Sequence, residues 1–234
     1  HFLASRVQDV ELVLFEVDDG PNNLPDLNSI RAMKEIAAQH CLSYTVHLPL
    51  DLRLAEDGTT QHTSIRKAQK VIECTRALEP FAYIVHLDAR ALKDGFSEQA
   101  HQQWVSQACH ALEWVAKSAG SLQRLAVENL EGFPLTLWEP VFERLPVSRC
   151  LDIGHLWLDG HDALPILARH LEAIRVIHLH GIGTRDHQSL NLMPVVQLDQ
   201  VIHFLAQAAF PGVITLEVFS QPDFETSMQA IHAS

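Results

Sequence analysis

The chain has 234 residues, of which 47% are hydrophobic and 20% are charged, as in globular proteins that bury a sizeable core. Its net charge of −12 argues against nucleic acid as a partner, because a protein that binds duplex DNA needs many lysines and arginines to displace counterions. No apolar run is long enough to span a membrane, and the lack of paired cysteine motifs favours reduced thiols and a cytoplasmic location.

Short apolar runs that alternate with helical patterns predict a parallel sheet covered by helices on both faces. Seven strands are expected, at residues 10–16, 43–47, 82–86, 125–128, 149–152, 175–178 and 213–217. Six helices are expected, at residues 30–40, 63–78, 97–119, 137–145, 163–173 and 197–209. The third helix has Ser97 as its expected N-cap and ends before Gly120.

This alternation predicts a single domain over residues 1–234, of the α/β class and with the architecture of a (β/α)8 TIM barrel. A closed barrel of this type needs eight strands, so we expect the first strand to be missing from this chain. An open doubly wound sheet is the structural alternative.

Each predicted strand ends in a residue that can bind a metal ion. These residues are Glu16, His47, His86, Glu128, Asp152, His178 and Glu217. Because parallel barrel strands converge at their C-terminal ends, these side chains are expected to be neighbours. Imidazole nitrogens and carboxylate oxygens suit Zn, Mn, Fe or Co, with one or more ions per chain. A lone histidine at a strand end is more often a hydrogen-bonded core residue, and Glu16 could simply begin a solvated acidic loop, so the prediction depends on the joint pattern.

Local spacing indicates that two more histidines face the same site. His155 lies in the expected turn after Asp152, so both residues can face one site. Alternation along the sixth strand places His178 and His180 on the same side of the sheet. The strand ends therefore offer more donors than one metal ion needs.

The loop after the sixth strand adds a further candidate ligand and a cation. His187, or the adjacent Asp186, would supply the ligand, and Arg185 would hold an anionic substrate. Arg185 could equally be a surface residue.

Seven segments together resemble one superfamily of barrels. They are YTVHLP with His47, YIVHLD with His86, LAVEN with Glu128, CLDIGH with Asp152 and His155, VIHLH with His178, RDHQSL with His187 and ITLEV with Glu217. This order and spacing resemble the xylose-isomerase-like barrels, which include sugar isomerases and epimerases and the endonuclease-four-type abasic-site endonucleases.

The resemblance implies two alternative metal sites. The isomerases use one metal ion, and the matching residues here are Glu128, Asp152, His178 and Glu217. The hydrolases add histidines, and the matching residues here are His47, His86, His155 and His187. The full set resembles the multi-metal phosphoesterases. In the loop after the sixth strand, the hydrolase pattern has one residue between its Asp and its His, whereas here Asp186 directly precedes His187. Whether Asp186 is a metal ligand is therefore left open.

Within this superfamily, the segments DDGPNNLP and TVHLPLDLRL resemble those of the cobamide-remodelling phosphodiesterases. The resemblance implies metal-dependent cleavage of the nucleotide-loop phosphoester of a cobamide, a small-molecule substrate. A single-metal sugar or sugar-phosphate isomerase or epimerase, and a barrel that binds its ligand without turnover, are the alternatives. The expected catalytic residues are Glu128, Glu217 and His180, and the expected substrate contacts are Arg185, Asn129 and Glu16. Asn129 could instead hydrogen-bond a group that supports a ligand.

Overall fold

Parallel strands alternate with helices throughout residues 2–15, 22–93 and 95–234, which are the residues that the computed structural model describes. The chain divides into two compact units. The first unit comprises His1–Glu128 and Phe133–Ser148, and the second comprises Asn129–Gly132 and Arg149–Ser234. The expectation of a single domain stays a prediction.

The described residues of the first unit contain four parallel strands in chain order. Its elements are β1 (Asp9–Val13), α1 (Leu27–His40), β2 (Ser43–His47), α2 (Thr63–Thr75), β3 (Tyr83–Val85), α3 (Glu98–Ala119), β4 (Leu125–Glu128) and α4 (Glu139–Arg144). β1 pairs with β2, β2 with β3, and β3 with β4. Every residue of β3 and β4 is buried, as expected for parallel strands covered on both faces.

The expected start and end of α3 are confirmed. The Ser97 hydroxyl accepts a hydrogen bond of 3.1 Å from the backbone N–H of Ala100, which is the N-cap arrangement. Gly120 ends the helix at φ +91°, in the left-handed region that glycine adopts without a Cβ penalty.

The second unit contains three strands and four helices within its described residues. They are β5 (Ser148–Asp152), α5 (Ile153–Leu158), α6 (Ala163–His170), β6 (Ile174–Leu179), α7 (Val195–Gln207), β7 (Val213–Leu216) and α8 (Gln221–Ala233). β5 pairs in parallel with β6, and β6 pairs in parallel with β7.

Two helices of the second unit were not predicted. The expected turn after the fifth strand is the short helix α5, and Asp152 caps it by accepting a hydrogen bond of 2.7 Å from the N–H of His155. The last helix, α8, begins after Ser220, whose side chain accepts from the N–H of Asp223. Serine followed by proline at the first turn is a common helix start, so this signal was present in the sequence.

The described residues contain the seven strands that the sequence predicted, with small differences in their bounds. The first strand ends at Val13 rather than at residue 16. Glu16 and the beginning of the DDGPNNLP segment lie outside the described residues, so their expected roles stay predictions. Within the described residues, no helix combines the length and the apolar character needed to cross a membrane.

Candidate metal centres

Three strand ends of the first unit bring together His47, His86 and Glu128. Each residue offers one donor atom, and these atoms lie within 4.8 Å of one another. The Nε2 atoms of His47 and His86 lie 3.5 and 3.0 Å from Glu128 Oε2. The side chain of Glu128 is only 1% exposed. We call these three residues the first-unit group.

The outer nitrogens of both histidines have partners that orient the rings. His47 Nδ1 donates to the carbonyl oxygen of Leu48 at 2.9 Å. His86 Nδ1 lies 3.4 Å from the carboxylate of Asp51, a residue that the sequence did not single out. Each Nε2 atom is therefore directed toward Glu128, in the arrangement by which carboxylates and carbonyls orient histidine ligands of metal ions.

In the second unit, Asp152, His178 and Glu217 offer donor atoms within 4.8 Å of one another. His178 Nδ1 lies 3.0 Å from Glu217 Oε2 and 3.9 Å from Asp152 Oδ2. The side chains of Asp152 and His178 are fully buried. These three residues form the central group of the second unit.

A second set of donors in this unit shares Asp152. His155, His180 and His187 complete it, with donor atoms again within 4.8 Å of one another. His155 Nδ1 donates to the carbonyl oxygen of Asn129 at 3.0 Å, which directs the opposite nitrogen away from that carbonyl. We call these four residues the outer group.

Asp186, the residue whose role as a ligand the sequence left open, contacts the neighbouring His187. Asp186 Oδ1 lies 3.2 Å from His187 Nδ1, so this carboxylate orients the ring. The other ring nitrogen of His187 lies 3.4 Å from Glu217 Oε2. Arg185 is exposed, and its guanidinium contacts the carbonyl oxygen of Asp186 at 3.4 Å.

Asn129 holds the backbone of Asp152. Its amide nitrogen donates to the carbonyl oxygen of Asp152, and its amide oxygen accepts from the N–H of Asp152, both at 2.9 Å. The side chain is buried. Of the two roles that the sequence left open for Asn129, these contacts favour support of a ligand.

His180 differs from the other histidines in the ring nitrogen that carries its hydrogen. Its Nδ1 accepts a hydrogen bond of 3.1 Å from the backbone N–H of His187, so in the neutral ring the hydrogen lies on Nε2. This Nε2 is buried 3.3 Å from Asp152 Oδ1, and no hydrogen-bond partner for it exists among the described residues. With this tautomer, His180 is a hydrogen-bond donor rather than a metal ligand.

The backbone at His187 maintains this arrangement. His187 has φ +52°, a left-handed conformation that non-glycine residues seldom adopt. This conformation accompanies the hydrogen bond from its N–H to the His180 ring. Such strained residues often lie at functional sites.

The donors fit a divalent cation. Asp152 Oδ2 is buried and makes no hydrogen bond to any described residue. A buried carboxylate oxygen without a partner costs several kcal/mol, and a bound cation would offset that cost. The imidazole and carboxylate donors of these groups suit Zn, Mn, Fe or Co. All eight predicted ligands thus fall into donor groups within their own unit, and their assignment as ligands stays a prediction.

A protein-family model described as a xylose isomerase-like TIM barrel matches residues 7–233. The chain belongs to this family. The predicted TIM-barrel fold class is therefore confirmed, as is the wider superfamily that the motifs resembled. No curated protein matches the chain at a significant level. The finer resemblance to cobamide-remodelling enzymes stays a prediction.

Solved structures of this fold carry several different activities in their names. A D-tagatose 3-epimerase-like protein has 16% identity and a TM-score of 0.72, covering 97% of this chain and 87% of its own. Endonuclease IV from Thermus thermophilus has 17% identity and a TM-score of 0.72. The match covers 99% of this chain and 91% of that structure's chain. A probable 3-DHS dehydratase from Bacillus anthracis has 14% identity and a TM-score of 0.64, covering 88% and 81%. At these identities the similarity establishes the fold alone, and the site must decide the chemistry.

Replacing Gly154 tests the packing of His180. Helical Gly-to-Ala changes normally stabilise by roughly 0.5–1 kcal/mol. For Gly154→Ala we expect a loss of about 1–3 kcal/mol in the free energy of unfolding, because the new Cβ would overlap the buried His180 ring. Urea unfolding of the metal-free chain measures this change. In a His180→Ala background the same substitution should be neutral or stabilising, and an equal loss in both backgrounds would contradict this packing.

Proton release on metal binding tests the ligand role of two histidines. Burial lowers the pKa of His86, but Glu128 and Asp51 outweigh it and raise the pKa to about 10. Burial likewise lowers the pKa of His187, but Glu217 and Asp186 raise it to about 9. These protons stabilise the metal-free fold fully below the ordinary pKa of 6.5, and this stabilisation is lost as the pH rises through about 9 and about 10.

At about pH 7.5 both rings are therefore protonated before a metal ion binds, and each must lose its proton to become a ligand. We expect Zn²⁺ binding to release about one proton from each ring, and the affinity to fall as the pH is lowered. Calorimetric titration in two buffers of different ionisation enthalpy measures the release. His86→Gln should reduce it by about one proton, whereas an unchanged release would exclude His86 as a ligand.

Proposed function

We propose that the chain is a metal-dependent phosphodiesterase that cleaves a small phosphoester-containing metabolite. One observation carries this proposal: the histidines that distinguish the hydrolase pattern all lie beside carboxylates. His47 and His86 lie with Glu128 in the first-unit group, and His155 and His187 lie with Asp152 in the outer group. An enzyme with one metal ion has no need of these additional groups.

The donor groups would hold the metal ions in each unit. The first-unit group supplies two imidazoles and a carboxylate, and the central group supplies two carboxylates and an imidazole. From the outer group, His155 and His187 add two imidazoles beside Asp152. Divalent ions held there would polarise phosphoryl oxygens, activate a water molecule and neutralise the leaving oxygen.

The distances around Glu128 and Glu217 support the catalytic roles that we propose for them. Glu217 lies within 3.4 Å of both His178 and His187, and Glu128 lies within 3.5 Å of both His47 and His86. Each carboxylate can orient an attacking water molecule and accept its proton. Asp152 belongs to both donor groups of its unit and is the natural shared ligand.

His180 and Arg185 would contact the phosphoryl group. The Nε2–H of His180, which is buried 3.3 Å from Asp152 Oδ1, makes no hydrogen bond to a described residue and would be the donor to a phosphoryl oxygen. Arg185 is exposed in the same loop as His187 and can attract the anionic substrate.

The nucleotide-loop phosphoester of a cobamide is the substrate that we favour. The support is the resemblance of the DDGPNNLP and TVHLPLDLRL segments to the cobamide-remodelling phosphodiesterases. The net charge of −12 disfavours a nucleic-acid substrate, although one structural neighbour is named as an endonuclease. The proposed partner is therefore a small molecule.

A single-metal sugar or sugar-phosphate isomerase is the second candidate. The central group favours it, because Asp152, His178 and Glu217 are three of the four residues that match the isomerase set, and they include none of the extra histidines. In that case Glu128 and Glu217 would transfer protons at the carbons beside a carbonyl. A ligand-binding barrel without turnover is the third candidate, and its weakness is the cost of burying so many carboxylates for no catalytic purpose.

Glutamine variants of the two glutamates test the phosphodiesterase. Glu128→Gln and Glu217→Gln should each lower hydrolysis of a cobamide, and of bis(p-nitrophenyl) phosphate, by at least about 100-fold, because the group that accepts the proton is lost. Product release with Mn, Fe, Co or Zn supplied measures this change, and circular dichroism checks the fold.

Glu35→Gln on the exposed surface of α1 is the matched control and should leave hydrolysis unchanged. Wild-type turnover in both active-site variants would overturn the proposal. Interconversion of a ketose or sugar phosphate, without phosphoester cleavage, would favour the isomerase.

A further inference from the structure

We infer that Arg53 and Arg90 form a subsite for the phosphate group of the substrate, beside the first-unit group. We call these two residues the arginine pair. This inference rests on the proposed function, because it assigns to the arginine pair the recognition of that same phosphoester. The roles of both residues follow from contacts within the first unit.

The loops that carry the two arginines are joined beyond the ends of β2 and β3. Leu52 and Leu87 form a further parallel bridge. The N–H of Leu52 donates to the carbonyl oxygen of His86 at 2.8 Å, and the N–H of Asp88 donates to the carbonyl oxygen of Leu52 at 3.1 Å. The loops therefore extend the strands on the side where His47 and His86 lie.

Hydrogen bonds from the side chains of Ser64 and Trp104 fix the backbone near both arginines. The hydroxyl of Ser64, which is 1% exposed, accepts from the N–H of Arg53 at 3.2 Å and donates to its carbonyl oxygen at 3.3 Å. The indole N–H of Trp104 donates to the carbonyl oxygen of Asp88 at 2.7 Å. The positions from which the arginine side chains extend are thus set before any ligand arrives.

One carboxylate holds both guanidinium groups. Asp88 accepts from Arg90 Nε at 2.9 Å and from Arg90 Nη2 at 2.7 Å, and Arg53 Nε lies 3.5 Å away. Two positive groups therefore share one hydrogen-bonded carboxylate, and the further carboxylate near Arg90, that of Asp51, also contacts His86.

A further partner of the arginine pair, His62, adds no negative charge. Arg53 Nε donates to His62 Nε2 at 3.0 Å. Burial, together with the positive charge of Arg53, lowers the pKa of His62, so this ring is neutral at physiological pH. His62 therefore orients Arg53 and leaves its charge available.

The remaining donors face solvent. Among the described residues, none accepts a hydrogen bond from the Nη atoms of Arg53 or from Nη1 of Arg90, and the two side chains are 46% and 72% exposed. Guanidinium groups held in this way match the geometry of phosphate oxygens and lose little side-chain entropy on binding.

The pair also borders the first-unit group. Asp51 contacts His86 at 3.4 Å and attracts the guanidinium of Arg90 electrostatically. A phosphate on the arginine pair would therefore lie next to donors that we assign to a metal ion. In a chain with a net charge of −12, such a local positive site would both attract and orient an anionic substrate.

Inorganic phosphate is the probe that tests the subsite. In the intact 234-residue chain treated with EDTA, calorimetric titration or ³¹P line broadening should detect phosphate binding. Arg53→Gln and Arg90→Gln should each weaken it on the order of tenfold, since each removes charge-assisted hydrogen bonds. The matched control is Arg31→Gln on the exposed face of α1, which changes the net charge equally and should leave the affinity unchanged.

Equal affinity in all four proteins, or equal weakening by Arg31→Gln, would overturn the arginine subsite. In the metal-loaded enzyme, the two variants should raise KM for the phosphodiester more than they lower kcat. Phosphate binding without any hydrolysis would leave the subsite standing and reject the phosphodiesterase. Hydrolysis with unchanged KM in both variants would reject the subsite and leave the phosphodiesterase standing.

Discussion

The site of the second unit depends on one fully buried carboxylate, that of Asp152. Asn129 fixes the backbone of Asp152 through two hydrogen bonds. One carboxylate oxygen of Asp152 caps α5 by accepting from the N–H of His155. The other oxygen has no hydrogen-bond partner among the described residues. A side chain held so firmly at such an energetic cost indicates a ligand whose charge completes the site.

Protons on histidine take the place of metal charge when no ion is bound. The raised pKa values of His86 and His187 arise because each ring lies between carboxylates, which favours the imidazolium over the neutral ring. When no metal ion is bound, the same carboxylates therefore stabilise the fold by pairing with the protonated histidines. Binding of metal ions by the proposed ligands would consequently depend on pH in each unit.

The sequence predicts the strands well because their burial leaves a direct signal. β3 and β4 are buried along their whole length and have no polar face. β3 ends just before His86, and β4 ends at Glu128. The helix α5 escaped prediction for a related reason: Ile153, Gly154, His155, Leu156 and Trp157 are all buried, so no amphipathic pattern marks it. Asp51, Glu131 and the tautomer of His180 depend on loop geometry, which spacing along the chain does not encode. Glu131 lies 3.5 Å from His155 and adds a carboxylate that the motifs did not reveal.

The family fixes the fold, whereas the number of metal ions separates the proposed reactions. Metal analysis of the purified chain, combined with anomalous scattering from its crystals, tests this directly. We expect more than one ion per chain, with one of them bound by His47, His86 and Glu128. A single ion bound by Asp152, His178 and Glu217, with no ion at His47 and His86, would contradict it.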